Sequence, residues 1–223
     1  RCLVGSEMCI RDSVRACFEQ FSGLHPSEEQ WCQAELPTSL GGLGLRSLTK
    51  HAPAAYLASR TSCYKFCQDL DPLHTLASPE VGVRSPEAIA HEAFNRAVHD
   101  NDRVANNHTE ALSQKVLSHF IDTRAFAELQ GRAAEHKAHL SLISVEGAGL
   151  WLQATPLAAA QLNNEPAIYV AMLRRWLRIP FVDKDSVCPL CDGWLDSFGD
   201  HALTCSCGGD RTRRHNLIRN AVY

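Results

Sequence analysis

Cys188-Pro-Leu-Cys191 is followed, after nine intervening residues, by His201 and, after three more, by Cys205. Thiolates and an imidazole are donors that suit a zinc ion, and four of them complete its tetrahedron. A Cys-x-x-Cys turn closes into a tight knuckle that aims both sulfurs at one ion. His201 and Cys205, four residues apart, share one face of a helical turn. The spacing predicts a structural zinc site made of Cys188, Cys191, His201 and Cys205, with Cys207 as the alternative fourth donor. Protein donors fill all four positions and leave none for a bound water, so a catalytic metal is not expected. An ion here would hold together an element with little core, because zinc binding in such peptides is worth about 10–16 kcal/mol.

Readings without a metal compete with this one. A redox dithiol needs its pair at a helix N-terminus after a strand in an α/β frame, whereas Cys191 leads into Asp192-Gly193, a turn signal. Buried apolar cysteines would not sit among polar turn residues. A solitary histidine is more often a satisfied core residue, but His201 stands beside three spaced cysteines. A metal-dependent hydrolase with Asp200 as its base would need an open coordination position.

Basic residues flank the cysteines on both sides. Arg174, Arg175 and Arg178 precede them; Arg211, Arg213, Arg214 and Arg219 follow, and most of these, with His215, share a helical face. Guanidinium forks bind phosphate oxygens in pairs and give affinity without sequence information. Such a cluster reads either as a solvated charged face or as a nucleic-acid contact. The charge distribution favours the second reading: residues 1–165 carry 14 Lys/Arg against 19 Asp/Glu, and residues 166–223 carry 8 against 6. The first part is therefore at −5 and the second at +2, within a net charge of −3 that excludes a uniformly basic nucleic-acid coat.

The elements that must position these groups read as mainly helical. Ser27-Glu-Glu-Gln30 has capping-box spacing before a short helix through Trp31 that Pro37 ends. Leu40-Gly-Gly-Leu-Gly-Leu45 lacks the Walker lysine and full dinucleotide spacing, so it reads as a tight loop packed on a core. Helix is expected from Ser47 to about Cys67, interrupted near Pro53, then a linker from Pro72 to Pro86. Ser85-Pro86-Glu87 starts a helix with Ile89, Ala93, Phe94, Ala97 and Val98 on one face. Thr109 is expected to cap another, with Leu112, Val116 and Phe120 four apart. A third runs through Phe126 and Leu129 towards His139, broken near Gly131. Gly147 to Pro156 reads as extended. Asn164 is expected to cap a last helix, with Pro166 in its first turn and Ile168, Tyr169, Met172, Leu173, Trp176 and Leu177 as its apolar stripe.

The 223 residues, 45% of them apolar, suffice for one large domain or two small ones. No run of eighteen apolar residues occurs, so no membrane-spanning segment is expected. Ten cysteines are too dilute for a small secreted disulfide scaffold, and the N-terminus lacks signal-peptide order; the thiols are expected to be reduced. Residues 1–13, Arg-Cys-Leu-Val-Gly-Ser-Glu-Met-Cys-Ile-Arg-Asp-Ser, resemble the conceptual translation of a sequencing adapter. On that reading the natural frame begins near Val14.

Several stretches together resemble the reverse transcriptases of non-LTR retrotransposons. Leu36-Pro-Thr-Ser-Leu-Gly-Gly-Leu-Gly-Leu-Arg46-Ser and Ala54-Ala-Tyr-Leu-Ala-Ser59 are similar to the segment after the polymerase palm. Gly147-Ala-Gly-Leu-Trp-Leu152, the arginine-rich helix and Cys188 through Cys205 resemble the downstream Cys-Cys-His-Cys region, and Gly208-Gly-Asp-Arg-Thr-Arg-Arg-His-Asn216 is similar to the stretch that follows it. The resemblance implies a thumb-like segment over 14–70, a helical region over 71–165 and a zinc module with basic flanks over 166–223. It implies RNA or DNA as partner, a nuclear site of action on chromosomal targets, and no membrane or small-molecule ligand. No Tyr/Phe-Ala-Asp-Asp occurs, so the magnesium-binding palm carboxylates are expected outside this chain, as is the nuclease of related elements. The fragment itself is then expected to grip nucleic acid without polymerising or cutting. The alternative is a protein-interaction adaptor scaffolded by zinc, without enzymatic activity.

Overall fold

The computed structural model describes residues 4–74, 85–105, 108–132, 136–157, 164–207 and 210–222. Among them are nine α-helices, and the only strands form one short hairpin, so the fold is mainly α. The chain divides into two compact units, one of Arg1–Phe21 with Ser27–Ala154 and one of Ser22–Pro26 with Thr155–Tyr223.

In the first unit, α1 spans Val4–Ser22 and α2 spans Glu28–Glu35. The capping box forms as its spacing requires: the Gln30 amide donates to Ser27 Oγ, and the Ser27 amide to Gln30 Oε1. Phe18 meets Trp31 edge-on at 5.9 Å, and both rings are buried. The adapter-like stretch is part of this arrangement, because Arg11 pairs with Glu28 and Glu35.

The Leu40–Leu45 loop packs on α2 as expected. The Gly42 amide donates to the Pro37 carbonyl, the Gly44 amide to that of Leu36, and the Leu43 and Leu45 amides both to that of Ala34. A Cβ on Gly42 would lie 1.9 Å from the Leu36 oxygen, so only glycine permits this approach.

Helix α3 runs without interruption over Leu48–Leu70, with Pro53 inside it. The expected break is absent. Pro53 lies early in the helix and forgoes only its own amide bond, while Ala54, Leu57 and Ala58 next to it are buried and hold the backbone in register. Helix α4 (Pro86–Ala97) begins at the Ser85 cap as its sequence predicts. Its inner face is turned from the expected one: Ala90, Phe94 and Val98 are buried with His91, and Ile89 is 49% exposed. Helix α5 is a single element over Gln114–Arg132. Thr109 does not cap it, since the chain stays irregular to Ser113, where the Leu112 amide donates to Thr61 Oγ1. The two helices read through Val116 and Phe126 are thus one, ending next to the Gly131 break, and α6 follows over Lys137–Ile143. Leu117 and Ile121, one residue on from the expected positions, join Leu57 and Phe94 in the core. Asp122 is buried, 2.7 Å from Arg46 and 3.3 Å from His51.

Leu150–Leu152 is a turn of 3₁₀-helix, in place of the expected extended segment. Gly147 adopts positive φ just before it, and Gln153 Nε2 donates to Thr38 Oγ1. The linker read over 72–86 falls largely on residues 75–84, outside those described.

The second unit contains α7 (Pro166–Trp176), the antiparallel hairpin β1 (Ser186–Val187) and β2 (Trp194–Leu195), α8 (Asp200–Thr204) and α9 (Asp210–Val222). Glu165, not Asn164, occupies the cap of α7, because Pro166 takes the first helical position and fixes φ there. Leu173, Trp176 and Leu177 of its expected stripe are buried; Ile168 is half exposed. No helix among the described residues is long and apolar enough to cross a membrane.

Candidate metal centre

The hairpin builds half of the site. In its register Val187 faces Trp194, and the pairing extends one step further as the Cys188 amide donates to the Gly193 carbonyl at 2.8 Å. The Asp192 amide closes the knuckle onto the Cys188 carbonyl, with Asp192 itself at φ +56°. Asp185 staples the base of the hairpin, accepting from Trp194 Nε1 and from the Ser197 amide.

Helix α8 supplies the other half. Its N-cap, Gly199, has no side chain, and Asp196 does the work from three residues upstream. The Asp196 carboxylate accepts from the Phe198, Asp200 and His201 amides at 2.7–3.0 Å. These bonds hold its carboxyl below the usual range despite partial desolvation, which acts the other way. The His201 backbone is thereby fixed, and the Cys205 amide donates back to the His201 carbonyl.

One donor atom from each of Cys188, Cys191, His201 and Cys205 lies within 4.8 Å of all the others. Bonds of about 2.3 Å to a tetrahedral ion place sulfur donors roughly 3.8 Å apart, so this grouping needs only a small contraction to hold a metal. His201 presents Nε2, which is 3.2 Å from Cys191 Sγ. The Cys205 sulfur belongs to the group; that of Cys207 lies outside it. Gly193 makes room for the imidazole, since a Cβ there would lie 3.1 Å from His201 Cε1 and 3.2 Å from Cys191 Sγ. The Leu190 and Cys191 amides, with the His201 and Cys191 side chains, draw the Cys188 thiol down to about 6 against partial desolvation. The Gly193 amide pulls Cys191 the same way, but desolvation and the Cys205 and Cys188 sulfurs prevail and push it up to about 11. Cys17, Cys32, Cys63, Cys67, Cys188, Cys191, Cys205 and Cys207 are free thiols.

The arginines before the knuckle are drawn into its support. Arg175 and Arg178 donate to the two oxygens of Asp200 at 2.7 and 2.6 Å, which holds that carboxyl below its ordinary range against desolvation. Arg178 terminates α7 at φ +56°, where glycine is usual, and its guanidinium stacks 4.2 Å from the Phe198 ring. Arg174 donates to the Pro180 carbonyl and lies over Phe181 at 5.7 Å. Asp200, adjacent in sequence to His201, is thus an anchor for α7. Arg211, Arg213, Arg214 and Arg219 are exposed along α9, and Arg214 reaches the Leu203 carbonyl.

Sequence reading missed Asp185, Asp196 and Gly193 as positioning residues. An acid five residues before the candidate ligand His201 was the available signal for Asp196. No protein-family model, curated protein or solved structure matches the chain.

Proposed function

We propose that residues 166–223 form a structural zinc module that grips nucleic acid, within the C-terminal part of a non-LTR retrotransposon reverse transcriptase. The convergence of three thiols and one imidazole within 4.8 Å is the observation that supports it most. This donor set suits zinc over hard cations, and its closed shell assigns the ion a structural role. Cys188, Cys191, His201 and Cys205 hold the ion. The exposed arginines of α9 contact phosphates, while Arg174, Arg175 and Arg178 brace the module and add positive potential next to it. The link to retroelements rests on the sequence resemblance of stretches within residues 36–59 and 147–216. No residue of this chain is given a catalytic role.

The test is elemental analysis of the purified chain, then anisotropy titration of labelled RNA and DNA from 50 to 200 mM salt. One zinc per chain and an affinity that falls steeply with salt are expected. Zinc with no nucleic-acid affinity would favour the adaptor reading. Absence of zinc would remove the basis of the module.

A further inference from the structure

Between α7, the loop at Phe181-Val182 and α8 lies a groove of about 440 Å³, lined by Ile168, Met172, Phe181, Val182, Phe198 and Leu203. Its volume falls in the range of small-ligand sites, roughly 300–1,000 Å³. Phe181 and Val182 are exposed to about two-fifths and one-half, so an apolar, ring-bearing surface stands open to solvent. The two charged residues on its edge are both committed: Arg175 to Asp200, and Asp196 to the amides that open α8.

We infer that this groove takes an unpaired base of a single-stranded nucleic acid whose phosphates run along α9. Charge complementarity selects this occupant. Helix α9 carries four arginines against one acid, and its Arg214 donates to the carbonyl of Leu203, a residue of the groove wall. The cationic row and the apolar slot therefore meet at one residue, the pairing that single strands require: backbone charge on one side and an aromatic platform for the base on the other. Arg174 covers one side of Phe181 and polarises the ring against which a base stacks. Duplex DNA or RNA has its bases already stacked and cannot fill the slot. The lining offers no uncommitted polar side chain for a ribose 2′-hydroxyl, so deoxyribose and ribose strands bind alike.

This inference rests on the nucleic-acid reading above, and its test separates the two. The full zinc-loaded chain is titrated with dT12, U12 and a 12-base-pair duplex, and with a strand carrying one 2-aminopurine. Phe181→Ala and Phe181→Leu are compared with Arg211→Ala/Arg213→Ala, and zinc content and thermal midpoint verify that each variant folds. Loss of one stacked base corresponds to about 5- to 150-fold in affinity. Phe181→Ala is expected to lose at least fivefold on dT12 and U12, to leave the duplex unchanged and to abolish 2-aminopurine quenching; Phe181→Leu falls between. Unchanged single-strand binding in both Phe181 variants, with the double arginine variant still weakened, overturns the groove assignment and leaves the phosphate grip standing. Equal binding of strand and duplex by the unaltered chain overturns it as well and points to a protein segment in the slot. If no nucleic acid binds at all, the parent reading fails with it.

Discussion

A metal ion held by Cys188, Cys191, His201 and Cys205 would compete with protons, and the two perturbed thiols define how. In the metal-free protein Cys188 titrates near 6 and Cys191 near 11. Above pH 6 Cys188 is already a thiolate, whereas an incoming ion must still displace the Cys191 proton. Affinity therefore rises with pH between 6 and 9, by at least tenfold per unit. Below pH 6 Cys188 also binds a proton in the free state, and the slope steepens by one further proton. Competition against a chromophoric chelator from pH 5 to 9 measures this; an affinity independent of pH would contradict a thiolate site. Ligand identity is checked by Cys205→Ser, expected to lose or strongly weaken the ion, beside Cys207→Ser, expected to keep one per chain. Asp196→Ala removes three amide bonds that place His201. Partners of this kind govern metal affinity by about 10- to 100-fold, so zinc should bind at least tenfold more weakly to this variant in the same assay.

The loop after α2 leaves no room for a side chain at Gly42. At Gly42 a methyl group would occupy the space of the Leu36 and Gln33 carbonyl oxygens, which are backbone and cannot swing away. Gly42→Ala should destabilise the first unit by on the order of 2–4 kcal/mol, read as a lowered urea midpoint. Gly44, which unlike Gly42 has positive φ but has open space around its Cβ position, should tolerate alanine better. Equal effects at the two positions would refute the close-approach argument. Helix α3 makes the complementary point: burial of Ala54, Leu57 and Ala58 outweighs the hydrogen bond that Pro53 forgoes.

Across the whole molecule, stability has two sources. The first unit has an apolar core in which Leu57, Phe94, Leu117 and Ile121 pack together, independent of any ion. The knuckle is held by turns, an acid cap and four candidate ligands. Chelation should therefore raise amide hydrogen exchange over residues 186–205 while amides of α3, α4 and α5 stay protected. Loss of protection in α3 on chelation would show that the ion supports more than its own module. Charge is likewise unevenly distributed, and if α9 grips single strands as proposed, each of its arginines that contacts a phosphate would add about 0.7 to the slope of log affinity against log salt. Arg211→Ala/Arg213→Ala should lower that slope by roughly 1.4; an unchanged slope would place the contacts elsewhere.

Features that obey local rules were legible in the residues alone. The spacing of Cys188, Cys191, His201 and Cys205 forced a knuckle and a single helical turn, and serine caps at Ser27 and Ser85 set helix starts because their partners lie within three residues. Features that depend on distant partners were set by the packing of the folded chain. Which face of α4 turned inward depended on α3, so Ala90 rather than Ile89 was buried. Whether Arg175 and Arg178 met solvent or carboxylate depended on Asp200, more than twenty residues away. Cys205, and not Cys207, lies with the other three donors, at the end of α8 where its amide donates to the His201 carbonyl. Periodicity fixes where a stripe lies on a helix to within about one residue; only the packing of neighbouring elements settles that last step.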